Sequence, residues 1–384
     1  MHLVAAAFAL FAGAGIPADA RYTPGKGLGV VTRDGRFALG VRARLQPRLE
    51  AEHAAGEATA ATLMLRRARL TLAGHVGSPH VRYYVQLGFT PRDMTGGLRD
   101  DVAAVRHDPL RDARVEFTRL RDAELWIGQT KVPFSRERLI SDANLAAIDR
   151  SIVNEEFNLD RDIGVQLRSR DLGGHGGRFG YALGVFTGDG RNTFELRTPR
   201  FAYVARLELR PLGSMGTDGE SDQPRSPSPR LAIGLAYAFH DGAAGDRGVF
   251  GARPSDGGTT DNHSATVDAA LHWRGMSLEG GALWRVGRRE PGAAGPVEAA
   301  RSGLGWFAQL AWLLPTIPLE PVVRYAQVLD VYGRRSSLDA GREAGGGLGW
   351  YFAGPDLELR TDYTRLWERG STSDRLRVQL QVAF

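Results

Sequence analysis

Arginine is the residue on which any chemistry of this chain must rest. Arg42, Arg44, Arg67, Arg69, Arg82, Arg114, Arg168, Arg206, Arg324, Arg360 and Arg377 take the polar phase of segments that alternate polar and apolar side chains. Lys131 is followed closely by Arg136, Arg138 and Arg150. Guanidinium is permanently charged and forks onto phosphate or carboxylate oxygens, so this pattern offers attraction and holding of anions rather than bond breaking. Glu116, Glu124, Asp162, Glu208, Asp268, Glu279, Glu320, Glu358 and Asp362 share the same phase. A second reading therefore stands beside the first, in which opposite charges hold one wall together as ion pairs. Of the 49 basic residues only Lys26 and Lys131 are lysine, a bias that a GC-rich coding sequence also explains.

Motifs for other chemistry fall away. No HExxH or GxSxG occurs. Gly173 to Gly177 precedes a strand pattern rather than opening a helix, and Pro24-Gly25-Lys26-Gly27 lacks the spacing of a phosphate-binding loop. The chain has no cysteine, which excludes disulfides and thiolate chemistry. The nine histidines are scattered; His240 and His263 flank one link without completing a ligand set. No cofactor or metal is expected. Basic residues exceed acidic ones by 49 to 44, yet no basic cluster sits on a nucleic-acid reading element.

The elements that must position the arginines are strands. Leu376, Val378, Leu380, Val382 and Phe384 fall on one face of the terminal segment, while Arg375, Arg377, Gln379 and Gln381 fall on the other. The same alternation marks sixteen segments, near 36–48, 62–74, 80–90, 111–119, 123–131, 161–170, 178–187, 200–210, 230–239, 264–273, 277–286, 304–314, 319–328, 343–353, 356–366 and 375–384. Most have about the ten residues that a tilted strand needs to cross a bilayer. Links alternate long and short, as in barrels with short turns at one end and longer loops at the other. Residues 211–229 break that rule; rich in Pro and Ser around Pro224 to Pro229, they read as a flexible insertion. The pattern predicts an all-β fold, a 16-stranded antiparallel transmembrane β-barrel over 36–384. Residues 1–20 read as a signal peptide ending in Ala18-Asp19-Ala20, and 21–35 as an N-terminal periplasmic segment. A soluble sandwich is the competing fold.

Ile127 to Glu137, Arg161 to Val165 and Gly180 to Gly188 together resemble the phosphate-selective porin O/P family. So do Arg66 to Leu70, Glu320 to Tyr325 and the terminal Phe384. The resemblance implies a trimeric outer-membrane porin of a Gram-negative bacterium, inserted by the barrel assembly machinery through Phe384. It implies that the third external loop, 132–160 here, folds into the lumen and narrows it. Within that loop Ile140, Leu145, Ile148 and Ile152 have roughly helical spacing, predicting a helical turn in 139–153. Family members that prefer phosphate use lumen arginines and a constriction lysine, which makes Lys131, Arg136, Arg138 and Arg150 the candidate constriction cations here.

The function this favours is passive diffusion of small hydrophilic anions, with phosphate one candidate. A general non-selective porin is the alternative. A barrel lipase would need a Ser–His pair facing lipid, for which Ser277 and His272 beside a tight turn are the nearest residues. A non-conducting structural barrel would use the long links 240–263 and 287–303.

Overall fold

Segments that alternate polar and apolar residues form strands throughout the computed structural model, which describes residues 18–94, 108–192, 200–248, 251–368 and 370–384. A short hairpin, β1 (Ala18–Thr23) and β2 (Gly27–Thr32), comes first. Sixteen strands follow. They are β3 (Phe37–Ala54), β4 (Ala60–Val76), β5 (Ser78–Gly88), β6 (Leu110–Phe117), β7 (Glu124–Lys131), β8 (Arg161–Ser169), β9 (Phe179–Phe186) and β10 (Ala202–Leu209), then β11 (Arg230–Ala243), β12 (Thr259–Trp273), β13 (Met276–Glu290), β14 (Gly303–Trp312), β15 (Leu319–Leu329), β16 (Gly341–Tyr351), β17 (Leu357–Glu368) and β18 (Ser371–Ala383). The expected leader falls almost wholly on residues 1–17, outside the described residues. The expected 21–35 segment supplies most of the hairpin.

Each of the sixteen strands pairs antiparallel with its neighbours, and β18 returns to β3 from Ser373↔Ala54 to Ala383↔Arg44. The result is a closed cylinder, not a sandwich. The hairpin does not add to the circle. Leu28 to Val31 of β2 pair with Val41 to Ala38 of β3, so β2 and β18 share one edge of β3 end to end.

Every expected strand forms, but several run further than expected. The link expected over 49–61 contracts to 55–59 because β3 and β4 pair as far as Glu52↔Ala60. Such extensions lack one continuous apolar face, which was the cue for the boundaries, while their backbone groups still pair across the ladder. Pro47 has no N–H to give, and the β3–β4 register shifts between Gln46 and Pro47 to accommodate it. Arg274 and Gly275, with φ of 50° and 85°, make the two-residue turn from Trp273 to Met276 that a tight hairpin demands.

Burial is inverted relative to a soluble protein. Leu207, Leu235, Val323 and Leu376 are 59%, 53%, 56% and 52% exposed, whereas Arg48 is 1% exposed and Gln46 and Glu320 0%. Trp273, Trp312 and Trp350 point outward near the short-turn end, where Met276 pairs Trp312 and Leu319 pairs Trp350. Aromatics at that level suit a membrane–water interface. The inward face carries the charges, and an apolar cluster joins the 132–160 segment to the wall: Val132, Phe134, Ile152, Val153 and Phe157 pack with Phe186, Leu283, Phe307 and Val328.

Placing arginine at outward Leu376 should cost about 2–4 kcal/mol if that position lies near the bilayer midplane. Denaturant unfolding in lipid vesicles reads this directly. Leu376→Val should stay near wild type, and an equally small loss for Leu376→Arg would mean that this face does not meet lipid.

Candidate functional site

Most of the arginines in the polar phase of the strands already have partners. The wall is tied together strand by strand. Arg206 bonds Asp268 at 2.8 Å and Glu208 at 3.0 Å, and Arg324 bonds Glu343 at 2.6 Å. Arg360 bonds Glu358 at 2.9 Å and Tyr351 Oη at 2.8 Å, and Arg377 bonds Asp362 at 2.7 Å. Arg114 pairs with Glu116 at 2.7 Å and lies 4.3 Å and 4.2 Å over the rings of Tyr84 and Trp126. Arg168 covers Trp126 at 4.1 Å. Arg42 meets Asp356 at 2.8 Å, and exposed Arg82 donates to the Pro79 carbonyl at 3.1 Å. Arg82, Tyr84, Arg114, Glu116, Trp126 and Arg170 line a cavity of about 530 Å³. Alternating charges along one face thus pair laterally, as the ion-pair reading of the sequence supposes.

The 132–160 segment supplies a second set of partners. Two of its carboxylates each collect several wall arginines. Asp142 bonds Arg44 at 2.5 Å, Arg69 at 2.5 Å and Arg67 at 3.1 Å. Asp149 bonds Arg48 at 2.6 Å, Arg67 at 3.0 Å and Arg377 at 3.2 Å, with Arg66 at 3.6 Å. Burial opposes ionisation of both. The arginines outweigh it and hold each carboxyl well below the usual carboxylate range. A third carboxylate, Glu156, bonds Arg285 and Arg301. On the other side Arg136 reaches Glu279 at 3.2 Å, and Arg138 pairs with Asp160.

Backbone carbonyls of the segment take further donors. Lys131 Nζ donates to Leu139 and Ile140 carbonyls, both at 2.9 Å. Arg150 donates to the Glu137 carbonyl at 2.7 Å and the Ile140 carbonyl at 2.6 Å. Arg324 and Arg360 reach the Asp149 and Ala146 carbonyls. This explains why the helical turn expected in 139–153 does not form there. Carbonyls aimed outward at guanidinium and ammonium groups are not available to an i→i+4 ladder. Helix is confined instead to α1 (Arg136–Leu139) and α2 (Ile152–Phe157). Ser151 caps α2, its hydroxyl accepting from the Asn154 N–H at 3.2 Å. Gly305 of β14 leaves room for α2, since a Cβ there would lie 2.8 Å from both Val153 and Phe157.

Lys131 and Arg150 differ from the other cations bonded to the 132–160 segment. Among the described residues, neither meets a carboxylate within ion-pair distance; Lys131 lies beside Arg150, Arg161 and Arg138, and Arg150 beside Arg138.

Sequence reasoning missed Asp142, Asp149 and Glu156, because loop acids show no alternation to assign them a face. The one available cue was charge complementarity between a link carrying spaced acids and a wall rich in arginine. It also missed Trp126, an aromatic in the polar phase. His272 and Ser277 face each other across β12 and β13, 0% and 2% exposed on the inward side, rather than facing lipid.

The fold has known counterparts. An anion-selective porin from Comamonas acidovorans superposes with a TM-score of 0.57 at 14% identity, covering 91% of this chain and 100% of that one. OprB of Pseudomonas putida gives 0.58 at 11% identity over 90% and 94%. The trimer form of OmpT from Vibrio cholerae gives 0.54 at 9% identity over 91% and 99%. Likeness at such identities concerns the fold alone. No curated protein matches the chain by sequence. The model of the family described as phosphate-selective porin O and P matches residues 37–280, well over half the length. Together with the closed sixteen-stranded barrel, that match means that this chain belongs to the phosphate-selective porin O and P family.

Proposed function

We propose that the chain is a passive outer-membrane diffusion channel for small hydrophilic anions in a Gram-negative bacterium. The observation that carries this reading is the pair Lys131 and Arg150, whose donors go to carbonyls and which, among the described residues, form no ion pair within 4 Å. Cations placed in a pore set anion preference, and conduction needs them to hold an ion weakly enough to release it. In this reading residues 132–160 lie within the lumen as the constriction, since their partners are the inward side chains of β3, β4, β13, β15, β17 and β18. The ends joined by long links face outside and the short turns face the periplasm. Three copies assemble, as the trimer form of OmpT does, and Phe384 presents the terminus to the barrel assembly machinery. The substrate gradient drives transport, and phosphate is one candidate ion.

A second reading, a porin without ion preference, is favoured by the pairing of most wall arginines with acids. Reversal potential in a KCl gradient separates the two. An anion-preferring potential supports the first, and a potential near zero supports the second. Replacing Lys131, Arg136 and Arg138 together by Gln should weaken the block of chloride current by added phosphate. Unchanged block would remove these residues from the permeation path.

Asp142 and Asp149 offset the arginines they hold, so Asp142→Asn with Asp149→Asn should raise the anion-to-cation permeability ratio. The expected rise is about 30-fold for each charge felt at 4 Å through water, about fivefold for the anion and the same factor in reverse for the cation. Single-channel records should also become noisier as the segment loosens. A ratio equal to wild type would mean that these carboxylates do not act on the permeating ion.

A further inference from the structure

The link from β10 to β11, residues 210–229, starts at the end of the barrel opposite the origin of the 132–160 segment, because three antiparallel strands, β8, β9 and β10, separate the two. Read from composition it is a flexible insertion. The structure instead ties it down along its length. The Met215 side chain packs with Ala232 and Ala270. The Gly219 carbonyl accepts from Arg136 at 3.3 Å, and the Glu220 N–H donates to the Asn144 carbonyl at 2.9 Å. The Glu220 carboxylate accepts from the Ala146 N–H at 2.9 Å and from Gln309 of β14 at 2.8 Å. Ser221 bonds Glu320 of β15. The Asp222 carboxylate accepts from the Ser226 N–H at 2.9 Å and from the Gly275 N–H of the neighbouring turn at 2.8 Å. Arg225 reaches the Leu314 carbonyl at 2.7 Å. Glu220, Ser221 and Asp222 are all buried.

We propose that residues 211–229 are a second permeation-determining element, a strap that meets the constriction segment at residues 144–146 and sets a carboxylate, Glu220, against the cationic path. The inference rests on the porin reading. Its physical basis is position. A turn that merely joined β10 to β11 would need about two residues, whereas this one spends its extra length reaching Asn144 and Ala146.

The groups facing Glu220 define how its charge behaves. From the 132–160 segment come Glu137 and Arg150, and from β13 Glu279, itself held by Arg136 with His272 3.7 Å away. β14 presents neutral Gln309, and β15 presents Arg324 beside Glu320. Burial, with Glu279 and Glu137, pushes the Glu220 carboxyl up to about 7. A raised carboxyl is neutral below that pH and ionised above it. Alkaline conditions therefore place a negative charge in the path and lower anion preference.

Two variants test this in planar bilayers with the full-length protein. Glu220→Gln keeps an acceptor for Ala146 and a partner for Gln309 but carries no charge. Wild type should lose anion permeability by about fivefold between pH 5.5 and 8.5, the factor one charge exerts on one ion at 4 Å in water. Glu220→Gln should keep its acid-side preference across that range. A second variant, removing Leu212 to Pro229 and closing the hairpin with Asn-Gly, should conduct more than wild type and also lose the pH step. Wild-type current with an unchanged pH profile in Glu220→Gln and unchanged conductance in the shortened protein overturns the inference and leaves the porin reading standing. If the shortened protein does not fold, the Glu220→Gln pH profile decides alone. Wild-type protein that carries no ion current overturns the porin reading and this inference with it.

Discussion

Everything in this molecule depends on closure of the backbone ladder at β18 and β3. Inside a bilayer no water is available for an unpaired N–H or C=O, so an open sheet edge is excluded and the sheet must meet itself. The terminal strand therefore does more than contribute one sixteenth of the wall. Its pairing from Ala54 to Arg44 of β3 satisfies two edges at once, and the N-terminal hairpin occupies the stretch of β3 that β18 does not cover. Closure also fixes the sense of the side chains. Once the ladder is complete, a strand's alternate residues have only two destinations, hydrocarbon and interior.

The interior is then an electrostatic problem. Charged groups removed from bulk water lose hydration, and attraction to a partner offsets that loss only when geometry is good and the remaining donors are bonded. The wall meets this condition by lateral pairs such as Arg206 with Asp268 and Arg377 with Asp362. Arginines crowded on β3 and β4 exceed the acids of their own strands. Asp142 and Asp149 supply the difference from the 132–160 segment, so the same bonds that neutralise the wall anchor the segment. Anchoring and selectivity are coupled for that reason. Each carboxylate used as an anchor would subtract from the positive charge offered to a passing anion, whereas carbonyl oxygens take the donors of Lys131 and Arg150.

The irregular segments follow from the same accounting of donors and acceptors. Between α1 and α2 the chain stays non-helical because its carbonyls serve Lys131, Arg150, Arg324 and Arg360. The apolar residues there, read as helical from their spacing, pack without the ladder: Ile140, Leu145 and Ile148 are buried. The 211–229 link behaves similarly. Its Pro and Ser content suggested freedom, but Asp222 and Glu220 bond backbone N–H groups of other segments and hold it in place.

The sequence by itself determined the barrel. Sixteen alternating segments, a short–long rhythm of links and an aromatic terminus are local properties, and a strand's two-residue period converts them directly into an inside and an outside. It also put those arginines on the polar side of their strands, because each lies in phase with its neighbours. Strand ends were less legible, since β3, β4, β12 and β13 continue by backbone pairing after the apolar face has stopped. Only the tertiary structure decided what those arginines touch. Asp149 lies 82 residues from Arg67 and 228 from Arg377, and no periodicity links them. Loop acids find their partners through the shape of a closed cylinder, where residues distant along the chain share one enclosed, weakly screened space.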